Sequence, residues 1–472
     1  MLDLVIRGDR VVTCDGVDAR EIGIAGTKIV AVKPPGTWLD GDSHAVIDAT
    51  GQIVIPGGID PHVHCKWKTP AGSVSAAPPQ VSRAALFGGT TTLIDFAVWD
   101  QGMTVQQAIE RRDGDWRGQS HCDYSYHVIL HGDVPPEVIE QLPEAIGAGF
   151  PSVKMYTTDV RPARAGWKML HGDIWEVLQT LARNGGIACI HAEDDDLVMH
   201  MYRKLFREGR AHFTNMADVH STLSEDLSFR RIIRLAENVE GAALYMMHVS
   251  AATGLDAIAE SRAKGYPTYG ETLHQYALFT SDDYHRPNGQ IYHTYPSLKG
   301  RLDNAALWEG ITANGSISAV STDGVCTSFC VKIAGDRIDD TTGGSVGVEP
   351  RLSIMYTEMV AKRGCTLSRF SDVVSTNAAR IMGLYPRKGV IAPGSDADIT
   401  ILDPTVQRKI RNKDLHESDY SPWEGYEVAA WPSVTILRGK KVVERGEFLG
   451  DSADGERIPR KISSAILAGP AC

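Results

Sequence analysis

His62 and His64 stand one residue apart in IPGGIDPHVHCKW (55–67), at the close of an apolar run. In an extended strand alternate side chains share a face, so the two imidazoles can grip one ion together. Four more ionisable residues sit in or at the end of similar runs: Lys154 in SVKMY, His191 in GIACIHAE, His248 in ALYMMHVS and Asp323 in SISAVSTDG. One such histidine is more often a buried, hydrogen-bonded side chain than a ligand. Several at equivalent ends of runs point instead to metal-dependent chemistry. Imidazoles with a carboxylate oxygen suit Zn²⁺, and also Mn²⁺, Ni²⁺ or Fe²⁺. Four histidines and an aspartate exceed the needs of one tetrahedral site that keeps a position open for water, so two divalent ions are expected. Ions about 3.5–4 Å apart need an anionic bridge, which Lys154 as an ammonium does not provide.

The elements that must position these residues are legible as a pattern. Eight apolar runs, from VIPGGIDPHVH to SISAVSTDG, occupy residues 56–385 or their margin, and most are separated by helical stretches such as DIWEVLQTLARNG. Near-continuous apolar strands alternating with helices predict a parallel sheet covered on both faces, a (β/α)8 barrel of the TIM type. Catalytic groups of such a barrel gather at the C-terminal ends of its strands. Residues 1–55 and 386–472 have another texture, short strands punctuated by Gly and Asp, as in LVIRGDRVVTCDG and SVTILRGKKVVERGEF. We read both ends, with a C-terminal tail, as one small β-sandwich flanking the barrel.

Composition narrows the partners. The chain of 472 residues is 43% hydrophobic and 23% charged, which is ordinary for a globular protein. Its net charge of −11 is spread without a basic tract, so neither nucleic acid nor membrane is an expected partner. No signal-like or spanning apolar segment occurs, and a cytoplasmic location is expected. The eight cysteines are scattered and read as reduced thiols; Cys326 and Cys330 are close but lack a second pair, and read as structural.

With these residues in hand, the chain resembles the amidohydrolase superfamily, in the branch of hydantoinases, dihydropyrimidinases, allantoinases and dihydroorotases. GGIDPHVH, AALFGGTTTLIDF, ETLHQYALF, STDG, GGSVGVEPRL and STNAARIMGLYPRKGVIAPGSDADITILDP carry the likeness over nearly the whole length. The resemblance implies that His62, His64 and Asp323 bind one ion and His191 and His248 the other. It also implies that Lys154 is carbamylated by CO₂ and bridges both, which resolves the charge problem. Zinc is the implied metal, a homotetramer or homodimer the implied assembly. The implied reaction is ring opening of a small cyclic amide by metal-bound hydroxide, with Asp323 as general base and then acid.

In the expected pocket the sequence departs from its relatives. Hydantoinases carry a tyrosine five residues after the modified lysine, and here that position is Asp159; their SPPLR serine corresponds to Tyr295, and the asparagine before GG to Thr342. Tyr156 or Tyr295 is then the candidate oxyanion donor. Lys66 sits where dihydroorotases place an arginine for the substrate carboxylate. Allantoinase-like, dihydroorotase-like and other cyclic imide hydrolase activities are the enzymatic alternatives, although ETLHQYALF is closer to the hydantoinase form than to ETCPHY. The non-enzymatic alternative is a metal-free scaffold, which six filled ligand positions oppose.

Overall fold

The computed structural model describes residues 1–39 and 41–472. Eight parallel strands form one sheet in strict chain order: Gly58–Asp60, Thr90–Val98, Asp123–Ile129, Ser152–Tyr156, Ile187–His191, Leu244–Met246, Thr268–Leu273 and Ile317–Ser321. Their residues are buried almost without exception, because neighbouring strands and helices leave neither face to water. His171–Asn184 shows how the cover is built: Ile174, Val177, Leu178 and Leu181 form its buried stripe, and Gly185, at φ 78°, ends it in the left-handed conformation. The sheet closes just beyond its first and last strands. There His64 N–H donates to Gly324 O (2.8 Å) and Gly324 N–H donates to His62 O (3.3 Å). The architecture is the expected (β/α)8 barrel.

Both ends of the chain contribute to one nine-stranded mixed sheet. Leu2–Thr13 lies within it, and Ile399–Asp403 pairs antiparallel with Ile53–Pro56, so that Ile401 faces Val54. The run read as a single first strand is therefore two. Ile53–Pro56 belongs to the outer sheet and Gly58–Asp60 to the barrel, and the chain crosses between them at Gly57, where a Cβ would lie 2.2 Å from Thr91 Oγ1. Consequently His62 and His64 are not strand residues. Pro61 ends the pairing, and the two histidines follow in an extended segment held to Gly324 through Val63.

The last residues leave the outer sheet and run beneath the barrel. Ile458 N–H donates to Tyr124 O (2.8 Å), Arg460 N–H to Gly149 O (3.0 Å), and Tyr269 Oη to Ile466 O (2.7 Å). Ile458, Ile462 and Ile466 join the core that fills the lower barrel with Ile94, Ile187 and Tyr269. Among the described residues no helix is long and apolar enough to cross a membrane, and all eight cysteines are free.

Candidate metal centre

The hydrogen bonds that close the barrel also bring its first and last segments together at the C-terminal rim. His62, His64 and Asp323 present donor atoms within 4.8 Å of one another. Both Nε2 atoms lie 3.1 Å from Asp323 Oδ1. His191 and His248 stand beside this cluster, their rings 4.4 Å apart and the His248 ring 5.6 Å from that of His62. His248 and Asp323 adopt φ of 40° and 47°, costly for residues with a Cβ. Two of the other five non-glycine residues at positive φ, Lys66 and Val160, line the same cavity, a clustering typical of functional sites.

Behind the histidines stand carboxylates that sequence reasoning missed. Glu271 Oε1 lies 2.7 Å from His62 Nδ1, and Glu193 Oε2 lies 2.9 Å from His191 Nε2. Each engages one ring nitrogen and leaves the other available, the support that metal-binding imidazoles generally have. Glu193 is held in turn by His220 at 2.8 Å. Both glutamates lie in apolar runs, GETL and IHAE, and an acid inside a buried run was the one signal that pointed to them.

Electrostatics test whether these residues suit cations. Burial disfavours the charged form of His62, yet Asp323 and Glu271 outweigh it and raise its pKa to about 9. A pocket that draws a proton this strongly also draws a metal cation. His62 Nε2 is buried, with Asp323 Oδ1 3.1 Å away but no well-aligned hydrogen bond. Burial lowers His64 and His191 to about 4, so both are neutral donors at pH 7. Burial likewise lowers Lys154 to about 8, and its Nζ has Met247 Sδ, at 2.9 Å, as its hydrogen-bond partner. Asp323 is held well below the usual carboxylate range because, against the cost of burial, His62 and His64 stabilise its anion. The His62–His64–Asp323 cluster fits a divalent ion.

The amidohydrolase family model matches residues 53–442. The chain belongs to the amidohydrolase family. Members of that family are generally metal-dependent. The D-hydantoinase of Geobacillus stearothermophilus is 33% identical, covering 98% of each chain, and that of Ralstonia pickettii is 32% identical over 98% of this chain and 99% of its own. Among solved structures, the dihydropyrimidinase of Brevibacillus agri superposes with a TM-score of 0.92 at 31% identity, covering 98% of this chain and 99% of its own. The L-hydantoinase of Arthrobacter aurescens gives 0.86 at 25% identity, over 98% and 100%.

In this amidohydrolase a cavity of about 490 Å³ opens over the histidines. Tyr156 and Tyr295 line it, and the Tyr156 ring lies 5.3 Å from that of His191. Tyr295 Oη donates to Thr341 O at 3.3 Å. Lys66 lines the mouth and is paired with Asp115 at 2.7 Å. Asp159 and Thr342 do not line the cavity. Asp159 Oδ1 instead accepts the backbone N–H groups of Gly166, Trp167 and Lys168 (3.1, 2.8 and 2.8 Å), fixing the loop that carries Arg164 and Trp167 into the pocket. Thr342 Oγ1 donates to Val331 O (3.2 Å), and the neighbouring Gly343 and Gly344 form the wall.

Proposed function

We propose that this amidohydrolase opens the ring of a hydantoin, a dihydropyrimidine or a related cyclic ureide or imide, using two divalent ions, zinc foremost. His62, His64 and Asp323 would hold one ion, His191 and His248 the other, with a carbamate on Lys154 as the bridge. One observation carries this reading: the rings of four histidines, a carboxylate and a buried lysine without a carboxylate partner meet beneath one cavity at the strand ends. Lys154 suits carbamylation because an amine with a pKa near 8 has an appreciable neutral fraction at pH 7 to attack CO₂. When bound, the ion pair supplies a Lewis acid for the scissile carbonyl and acidifies water toward a pKa of about 7.

The chain's own residues supply the rest. Asp323, ionised at neutral pH, takes a proton from the attacking water as its oxygen bonds to the carbonyl carbon. It returns that proton to the ring nitrogen as the C–N bond breaks, leaving a carboxylate and an open chain. Burial pushes the Tyr156 phenol up, so it keeps its proton and can donate to the oxygen that gains charge. Tyr156 suits this role better than Tyr295, whose hydroxyl is already engaged by Thr341. The assembly, a homotetramer or homodimer, rests on family resemblance alone.

The test is a hydrolysis screen over hydantoins, dihydropyrimidines, allantoin, dihydroorotate and cyclic imides, with metal content measured in parallel. About two ions per chain and ring opening of at least one class are expected, both lost in Lys154→Ala. Metal-replete protein that opens none of these rings would overturn the reading.

A further inference from the structure

The charges around the cavity do not balance. Of the carboxylates lining it, Asp115 is paired with Lys66 (2.7 Å) and Arg112 (3.3 Å), Asp100 with Arg111 (2.8 Å), and Asp323 with the two histidines. Arg161, Arg164 and Lys68 also line it, and among the described residues none of the three has a carboxylate within ion-pair distance. A chain of net charge −11 thus turns a cluster of uncompensated cations toward its own pocket. Such a cleft raises the local concentration of anions and speeds their entry.

Arg164 is the most committed of the three. Its guanidinium lies 3.9 Å from the centre of the Trp167 ring, 5.1 Å from that of Tyr156 and 5.9 Å from that of Trp67. These rings fix its plane, and Asp159 fixes the turn behind it. Its Nη2 is buried without a hydrogen-bond partner. The Tyr156 side chain engages the guanidinium, and an anion entering the cavity would supply Nη2 with the acceptor it lacks. The Tyr156 ring separates it from the metal centre, with Lys154 Nζ 5.2 Å from the same ring centre. A group on the substrate ring, one short side chain away from the amide under attack, would meet this guanidinium.

We infer that the substrate is a cyclic amide whose ring substituent ends in a carboxylate, and that Arg164 reads that carboxylate, assisted by Arg161. The inference rests on the ring-opening reading above but replaces Lys66, already neutralised by Asp115, as the anion-binding residue. A guanidinium held by stacking presents two parallel N–H donors to the two oxygens of a carboxylate, which a neutral amide of the same shape does not match.

The experiment compares each enantiomer of 5-(2-carboxyethyl)hydantoin with the matching 5-(2-carbamoylethyl)hydantoin. The metal-loaded enzyme should favour the acid in kcat/KM by about 10- to 100-fold. Arg164→Gln should bring that ratio near unity, and Arg164→Lys should recover part of it, which a merely unfolded loop would not do. Calorimetric binding of the same compounds reads the discrimination without turnover. If neither ring opens yet the acid still binds more tightly through Arg164, the carboxylate-reading role of Arg164 stands, the hydantoin ring is excluded as the substrate, and the ring-opening reading is decided by the wider screen. Equal treatment of acid and amide by the wild type, an unchanged ratio in Arg164→Gln, or a ratio that collapses in Lys66→Met instead would overturn it.

Discussion

At the scale of single residues, the carboxylates behind the histidines decide how well the centre holds an ion. Glu271 touches His62 through Nδ1 and also accepts His248 N–H at 3.2 Å, so one acid positions residues from both halves of the proposed ligand set. Glu271→Gln keeps the shape and removes the charge. Its affinity for zinc, measured by chelator competition, should fall about 10- to 100-fold, with the protein still folded. The proposed ligand residues could be picked out in the sequence because a histidine, lysine or aspartate in or at the end of an apolar run is conspicuous. Glu193 and Glu271 could not, because a buried acid declares its role only through the partner that distant strands bring to it. Nor did VRPARAGWK separate Arg164 from a solvated loop arginine, since its ring partners Trp67 and Tyr156 come from another loop and a strand end.

At the scale of elements, the eight barrel strands could be read because strands buried on both faces are continuous apolar runs. The boundary inside the first run could not, since Ile53–Pro56 and Gly58–Asp60 are equally apolar and differ only in which sheet receives them. Loops pose a further question that one of them answers electrostatically. The segment carrying Glu417 is anchored under the loop that follows the eighth strand, where Glu417 Oε2 accepts Val348 N–H at 2.9 Å and Oε1 has no partner. Burial, then the nearby Glu349, raises the Glu417 pKa from 4.5 to about 8. The folded state therefore binds a proton that the unfolded chain releases near 4.5, a contribution complete below that pH and lost as pH rises through about 8. Glu417→Gln should flatten the fall in stability between those limits, as denaturant melts at pH 5 and pH 8 would show; parallel profiles for both proteins would refute the assignment.

At the scale of the molecule, barrel and outer sheet are joined by a buried ionic cluster. Lys388 Nζ contacts Asp123, at the start of the third barrel strand, together with Asp398 at 2.6 Å and Asp396 at 3.0 Å beside the outer sheet. Lys388→Met would leave the buried Asp398 without its cation, while Asp123 keeps Arg438 and Asp396 keeps Lys28 and Arg387. It should cost about 3–5 kcal/mol in chemical denaturation, the loss expected when one partner of a buried pair is removed. The tail beneath the barrel belongs to the same scale. Its Ile458, Ile462 and Ile466 read as an extension of the sandwich, yet they serve the barrel core, because nothing local records which surface a terminal segment will cover. With that floor packed from below, reactant and product are left to pass through the cavity that opens over the histidines. An opened ring held there would bar the next arrival, so added product should slow turnover by competing with the incoming ring.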